Sequence, residues 1–234
     1  MTTTYVLVPG FWLGGWAWDG VSAHLLEFGF SVTAVTLPGL ESPGADRSSI
    51  GLADHIDAVD EVVPHGDGEV ILVAHSGAGK VVSGFLDRRP SAVRRMIYVD
   101  SGPSSPGAAD DVPPDVVELP LPSWEDLASQ GNSLEGLSPS DLEQFRAGAV
   151  PHPAGPPRDR LELTNDADRR RVPSTIVACS LSSAVVGELA AAGHPMFAEV
   201  AQLSDLRYLD LPTGHWPMWS KPRELAAALV QAAS

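Results

Sequence analysis

Short apolar runs recur along the chain, and between them the apolar positions fall back to helical spacing. The runs predict strands over residues 4–8, 31–36, 69–74, 95–99, 175–179 and 206–211. Most are unbroken Val, Ile, Leu and Tyr rather than alternating apolar and polar, which is the pattern of strands covered on both faces. The segments between them predict helices over 15–28, 52–63, 79–88, 183–192, 195–203 and 222–233. Strand and helix in alternation predict an α/β fold, doubly wound about a mainly parallel six-stranded sheet.

One region interrupts the alternation. From residue 102 to about 172 no strand is predicted and prolines crowd: Pro103, Pro106, Pro113, Pro114, Pro120 and Pro122, then Pro139, Pro151, Pro153, Pro156 and Pro157. Two short helices fit within it, 124–129 behind Ser123 as N-cap and 141–147 opened by Ser138 and Pro139. An irregular insertion this long inside a compact domain usually serves function. We expect residues 102–172 to be a lid over the cleft of one domain spanning 1–234.

Composition narrows the classes. The chain has 234 residues, 44% hydrophobic and 19% charged, enough for one globular domain with a sizeable core. A formal net charge of −15 argues against nucleic acid and anionic membrane surfaces, which need clustered Lys and Arg. No apolar run approaches the roughly 20 residues of a membrane span. The start, Met1-Thr2-Thr3-Thr4, carries no basic residue and runs straight into a strand, so no secretory signal is expected. Cys179 is the only cysteine, so no intrachain disulfide can form and a cytoplasmic location is expected.

The candidate chemistry begins at Ser76. The apolar run Ile71-Leu72-Val73-Ala74 leads through His75 into Ser76-Gly77-Ala78-Gly79, and a helix follows at once. Small residues on both sides of a serine between strand and helix are the layout of a nucleophile elbow, where a sharp turn pushes the hydroxyl into a cleft. Alanine stands at both outer positions where glycine is usual, and it still satisfies the need for small side chains. A serine hydroxyl needs a base. Of seven histidines, His215 follows the last predicted strand in Pro212-Thr213-Gly214-His215-Trp216-Pro217, at the sheet edge that Ser76 also occupies. Open α/β sheets bind ligands at that edge. His75 is expected to diverge from the serine, and His24 and His55 to be surface or packing residues. His65, His152 and His194 lie in or beside loops without a supporting pattern.

Three segments resemble the α/β-hydrolase fold, in the style of the small plant-type esterase and hydroxynitrile lyase group. Val6-Leu7-Val8-Pro9-Gly10-Phe11-Trp12-Leu13-Gly14-Gly15 resembles its first strand and oxyanion loop, with Pro9 where histidine is usual. Residues 74–79 resemble its nucleophile elbow, and Gly214-His215-Trp216-Pro217 through Pro222 its histidine loop and last helix. The resemblance implies two oxyanion donors, the backbone N–H groups of Phe11 and Gly77. It also implies a carboxylate behind His215. The commonest position, after the next-to-last strand, reads Cys179-Ser180-Leu181-Ser182-Ser183 and holds none. Asp100, at the end of the strand expected beside that of Ser76, is the candidate acid, with Glu188 and Asp210 as poorer alternatives.

The resemblance then implies hydrolysis of a carboxylic ester or lactone through an acyl-enzyme on Ser76, with no metal or organic cofactor. The glycine-rich first loop fits neither phosphate-loop pattern, so no nucleotide is expected. Alternatives within the fold are a cofactor-free lyase or a carbon–carbon bond hydrolase. Outside catalysis the alternative is a small-ligand-binding protein. Trp12, Trp124, Trp216 and Met218 are expected to line the cleft and select an apolar or aromatic group. Lys80 is expected to face away from it, and no cation is obviously placed to hold a substrate carboxylate, with Arg158 or Arg160 in the lid as the candidates.

Overall fold

The six predicted strands assemble into one sheet. Its strands are β1 (Thr4–Val8), β2 (Ser31–Ala34), β3 (Val70–His75), β4 (Arg95–Val99), β7 (Ser174–Ala178) and β8 (Leu206–Asp210). The computed structural model describes residues 3–65 and 69–234, so Met1 and Thr2, part of the start expected to lack a leader, lie outside the described residues. The strand order is β2-β1-β3-β4-β7-β8, and every neighbouring pair is parallel. Strand ends differ from expectation by one or two residues. The chain leaves β1 toward β2 and returns to β3 on its other side, so the direction of winding reverses between β1 and β3. A crevice opens at such a reversal, outside the carboxyl ends of the two strands.

Alternate side chains of each strand feed two cores. Val6, Val8, Leu72, Ala74, Met96 and Tyr98 pack under α2 (Leu52–Val62), α3 (Ala78–Arg88) and α8 (Ser183–Ala191). Tyr5, Leu7, Ile71, Val73, Ile97 and Val99 pack under α1 (Asp19–Glu27) and α10 (Pro222–Ala232). Both faces of the central strands are covered, which is why their sequence is continuously apolar rather than alternating.

Two helix expectations are corrected. Residues 15–18 form a 3₁₀ turn before α1 rather than its first turn. Residues 195–203 form two 3₁₀ turns, Pro195–Phe197 and Val200–Gln202, instead of one helix. Between them Glu199 is drawn under the fold, where its carboxylate takes Nη1 of Arg169 at 2.7 Å and Nε of Arg170 at 2.8 Å.

The insertion contains a two-residue antiparallel ribbon, β5 (Glu118–Leu119) with β6 (His152–Pro153), where no strand was expected. Proline fits there because both strands of so small a ribbon are edges. Helices α4 (Trp124–Ser129) and α5 (Pro139–Gly148) form as read, capped by the hydroxyls of Ser123 and Ser138. Short turns α6 (Gly155–Arg158) and α7 (Asp166–Arg169) return the chain to the sheet, and α9 (Pro217–Ser220) precedes α10.

Candidate active site

Ser76 directly follows β3 with φ of +53°, a backbone region that non-glycine residues rarely enter. Its N–H bonds the Val99 carbonyl across the sheet at 3.4 Å, and α3 starts two residues later. The turn is tight enough that a Cβ on Gly79 would stand 2.2 Å from the Gly102 carbonyl oxygen, so glycine is required there. A Cβ on Gly10 would stand 2.9 Å from the Cβ of Ser76, so the first loop also closes on the serine. Because Ser76 is held in a conformation that suits glycine, Ser76→Gly is expected to raise stability by up to about 1 kcal/mol while removing any chemistry of the hydroxyl. Urea denaturation checks this, and a loss of stability would show that the turn is unstrained.

The three residues that the sequence nominates come together. The Ser76 hydroxyl lies 2.8 Å from Nε2 of His215, and Nδ1 of His215 lies 2.6 Å from Oδ2 of Asp100. Each sits at the carboxyl end of a different strand, β3, β8 and β4. Asp100 is itself at φ +43°, which its short side chain tolerates. Burial raises the pKa of Asp100, but hydrogen bonds from His215 and Ser180 outweigh it and hold the carboxyl below its usual value. Those Ser180 contacts were missed in sequence. Its N–H and hydroxyl donate to Asp100 at 2.9 and 2.7 Å, with the Cys179 N–H at 3.2 Å. The signal was the empty acid position itself, since the end of β7 adjoins β4 and supplies donors instead of a carboxylate. Glu188 lies on α8, and Asp210 accepts from the N–H and hydroxyl of Ser183.

The backbone N–H groups of Phe11 and Gly77 donate to no other group among the described residues. Both residues line a cavity of about 770 Å³ that Ser76, Asp100 and His215 also line. Apolar residues from both the sheet and the insertion complete it, among them Leu37, Leu52, Ile176, Pro156 and Met196.

Trp12, Trp124, Trp216 and Met218 do not line this cavity, contrary to expectation. Phe145 of α5 gathers Trp124 and Trp216 elsewhere. Its ring centroid is 5.3 Å from that of Trp124, 5.0 Å from Trp216 and 4.8 Å from Trp219, in the core beside α10. Met218 is fully buried in that core, and the Trp12 indole is turned toward the insertion, donating to the Leu119 carbonyl at 3.0 Å. Trp124 and Trp216 fell away from the cavity onto an aromatic partner that the sequence places far from them.

Lys80 was expected to face away, yet it lines the cavity. Its ammonium is not free. Its three donors are taken by the carbonyls of Pro156, Pro157 and Asp159 at 3.0, 2.8 and 2.6 Å. Half burial lowers its pKa, with Asp110 and Asp159 opposing. Nη1 of Arg158 bonds the carbonyls of Pro113 and Val116, and Arg160 Nη2 abuts Gly107.

Three further histidines are buried: His55, His75 and His152. His75 does diverge from the serine, and its Nε2 donates to the His215 carbonyl at 2.7 Å. Burial lowers the pKa of all three, reinforced at His75 by His215 and at His152 by His55 and Arg47. A folded pKa below the unfolded 6.5 contributes stability that is full above pH 6.5 and is lost as pH falls from there toward the folded values. Stability is therefore expected to fall as pH drops below 6.5, with a limiting slope of roughly 1.4 kcal/mol per pH unit for each histidine that stays neutral in the folded protein. Denaturant midpoints at pH 7.5, 6 and 5 measure this. A His55→Leu variant should show a shallower slope, and an unchanged slope would mean that His55 takes up its proton at the same pH in the folded and unfolded protein.

The alpha/beta hydrolase family model matches residues 5–228, and the chain belongs to that family. Its relatives are named as ester-hydrolysing enzymes. A carbendazim hydrolyzing esterase from Nocardioides sp. is 32% identical over 99 residues, 42% of this chain and 41% of that protein, so this match spans less than half of the relative. Putative methylesterase 12, chloroplastic, from Arabidopsis thaliana is 27% identical, covering 98% of this chain and 71% of that protein. Among solved structures, an extracellular alpha/beta-hydrolase from a Paenibacillus species superimposes with a TM-score of 0.73 over 98% of both chains at 18% identity, a likeness of fold.

Proposed function

We propose that this enzyme hydrolyses a small carboxylic ester or lactone bearing an apolar or aromatic group, through an acyl-enzyme on Ser76. The observation that carries the reading is the unbroken relay from the Ser76 hydroxyl to His215 Nε2 at 2.8 Å and from His215 Nδ1 to Asp100 at 2.6 Å. Asp100 holds His215 in the tautomer whose Nε2 is free to accept a proton. Ser76 Oγ attacks the acyl carbon as its proton passes to His215, giving a tetrahedral intermediate. The Phe11 and Gly77 N–H groups receive the oxyanion; being backbone, they are oriented before the charge forms. The intermediate collapses as His215 protonates the departing alcohol. Water, deprotonated by His215, then releases the acid and restores the serine. No metal or organic cofactor enters.

Substrate class follows from the cavity. Its volume suits a small molecule, and its walls are mostly apolar. The Lys80 ammonium is already satisfied, which favours an uncharged substrate over one with a free carboxylate. Residues 102–172, which supply much of the wall, act as the lid of this single domain. No helix among the described residues is long and apolar enough to cross a membrane. With one cysteine and a net charge of −15, the reading is of a cytoplasmic enzyme acting on a small molecule rather than on nucleic acid or a membrane surface.

A panel of p-nitrophenyl esters of graded acyl length, with aryl esters and lactones, tests this reading. Turnover should rise with apolar acyl groups and fall with charged ones. A panel with no turnover, together with no labelling by a fluorophosphonate probe, would favour the small-ligand-binding alternative.

A further inference from the structure

Phe11 is gripped from two sides by residues remote in sequence. Its ring lies flat on the imidazole of His152, with centroids 4.1 Å apart and planes 19° from parallel. On the other side it presses on Gly77, where a Cβ would stand 2.4 Å from a ring carbon. The next residue, Trp12, has φ of +66°, which a bulky side chain adopts only when its surroundings impose it. Two hydrogen bonds impose it. The Trp12 indole donates to the Leu119 carbonyl, and the Val150 N–H donates to the Trp12 carbonyl, both at 3.0 Å.

These clamping residues sit in or beside one structure. Leu119 is paired with His152 in the β5–β6 ribbon, and Val150 lies just before it. His152 is backed by His55, edge to face at 5.6 Å, and His55 is anchored by donating Nε2–H to the Pro38 carbonyl at 3.0 Å. The first loop has little means of fixing itself, because Gly10 carries no side chain and closes directly on His75 and Ser76.

We propose that His152 is a positioning residue for the oxyanion loop, its ring clamping Phe11 so that the Phe11 N–H is held beside that of Gly77 before substrate arrives. The proposal rests on the reading of Ser76 as nucleophile and Phe11 as oxyanion donor. An oxyanion donor stabilises the transition state to the extent that it needs no reorientation during the reaction. The ribbon is then a brace for the catalytic loop as well as part of the cavity wall. What acts is the flat face of His152, not its proton.

The test compares kcat, KM and the rate of Ser76 phosphonylation, using p-nitrophenyl acetate and a fluorophosphonate, with melting temperature as the check on folding. His152→Ala should lower kcat roughly 10- to 100-fold, less than loss of both donors, with KM changed by less than about threefold. Phosphonylation should slow in step, because the phosphoryl oxygen uses the same donors. His152→Phe keeps the flat face and should recover most of the lost kcat, whereas His152→Gln keeps polar atoms without a ring and should not. Trp12→Phe, which removes the indole donor outside the cavity, should lower kcat several-fold. If His152→Ala does not fold, the contrast between Trp12→Phe, slowed, and His152→Phe, largely active, carries the test.

Recovery by Gln and not by Phe would overturn the proposal, since the nitrogen would then be the working part. Raised KM at unchanged kcat would overturn it in favour of substrate contact, and variants equal to the wild type would dispose of the brace. In those cases the wild type is still phosphonylated at Ser76 and only the brace fails. A wild type that resists phosphonylation overturns the hydrolase reading, and the brace with it.

Discussion

Replacing Ser76 with alanine is expected to lower kcat by on the order of 10⁶-fold on any ester that the wild type turns over, with the fold intact. The size follows from what is removed. The alanine variant keeps His215, Asp100 and both backbone donors, but it has no group to form the acyl-enzyme. Any residual rate must come from water attacking a substrate held by the cavity. Because Ser76 and His215 act as a unit through one proton, the double variant Ser76→Ala/His215→Ala should be scarcely slower than either alone. Fluorophosphonate labelling should vanish in the alanine variant. Equal labelling of wild type and variant would reassign the nucleophile.

Asp100→Asn should lower kcat by about 10⁴-fold without a large change in KM. The neighbours of Asp100 decide which way the amide points. The N–H groups of Cys179 and Ser180 both aim at Oδ1, so the amide oxygen must stay there. The amide NH₂ is then left facing Nδ1 of His215. It can only donate, so Nδ1 must accept and Nε2 must carry the proton. That tautomer cannot take the Ser76 proton, although every heavy atom stays in place. Glu188→Gln and Asp210→Asn serve as controls and should stay within about threefold of the wild type, since neither side chain contacts the relay. If Asp210→Asn or Glu188→Gln proved as damaging as Asp100→Asn, the acid would have been misassigned.

Much of the fold was legible because buried parallel strands are written as unbroken apolar runs. The four inner strands were found in this way, the edge strands β2 and β8 by shorter mixed runs, and β3 and β4 proved to be neighbours as expected. The ribbon in the insertion was invisible, because two residues per strand, one of them proline, leave no periodicity to read. The 195–203 segment misled for a different reason, since its apolar spacing is helical but the chain breaks into two 3₁₀ turns there, with Glu199 between them paired to Arg169 and Arg170. Among site residues, Ser76 and His215 were marked by local pattern. Asp100 came from the family resemblance, which implies an acid at a strand end, and Ser180 was signalled only by the empty acid position beside it.

The sequence by itself determined the elements of the sheet and the strand ends that carry Ser76, Asp100 and His215, because both are set by local apolar runs and by the turns that close them. Only the tertiary structure decided which side of each loop faces the cavity. It sent Trp124 and Trp216 to Phe145, bound Lys80 to three carbonyls, and laid His152 against Phe11. A loop side chain has no fixed period that points it inward or outward. Its direction is set by whichever partner the rest of the chain brings to it, and here those partners lie tens of residues away.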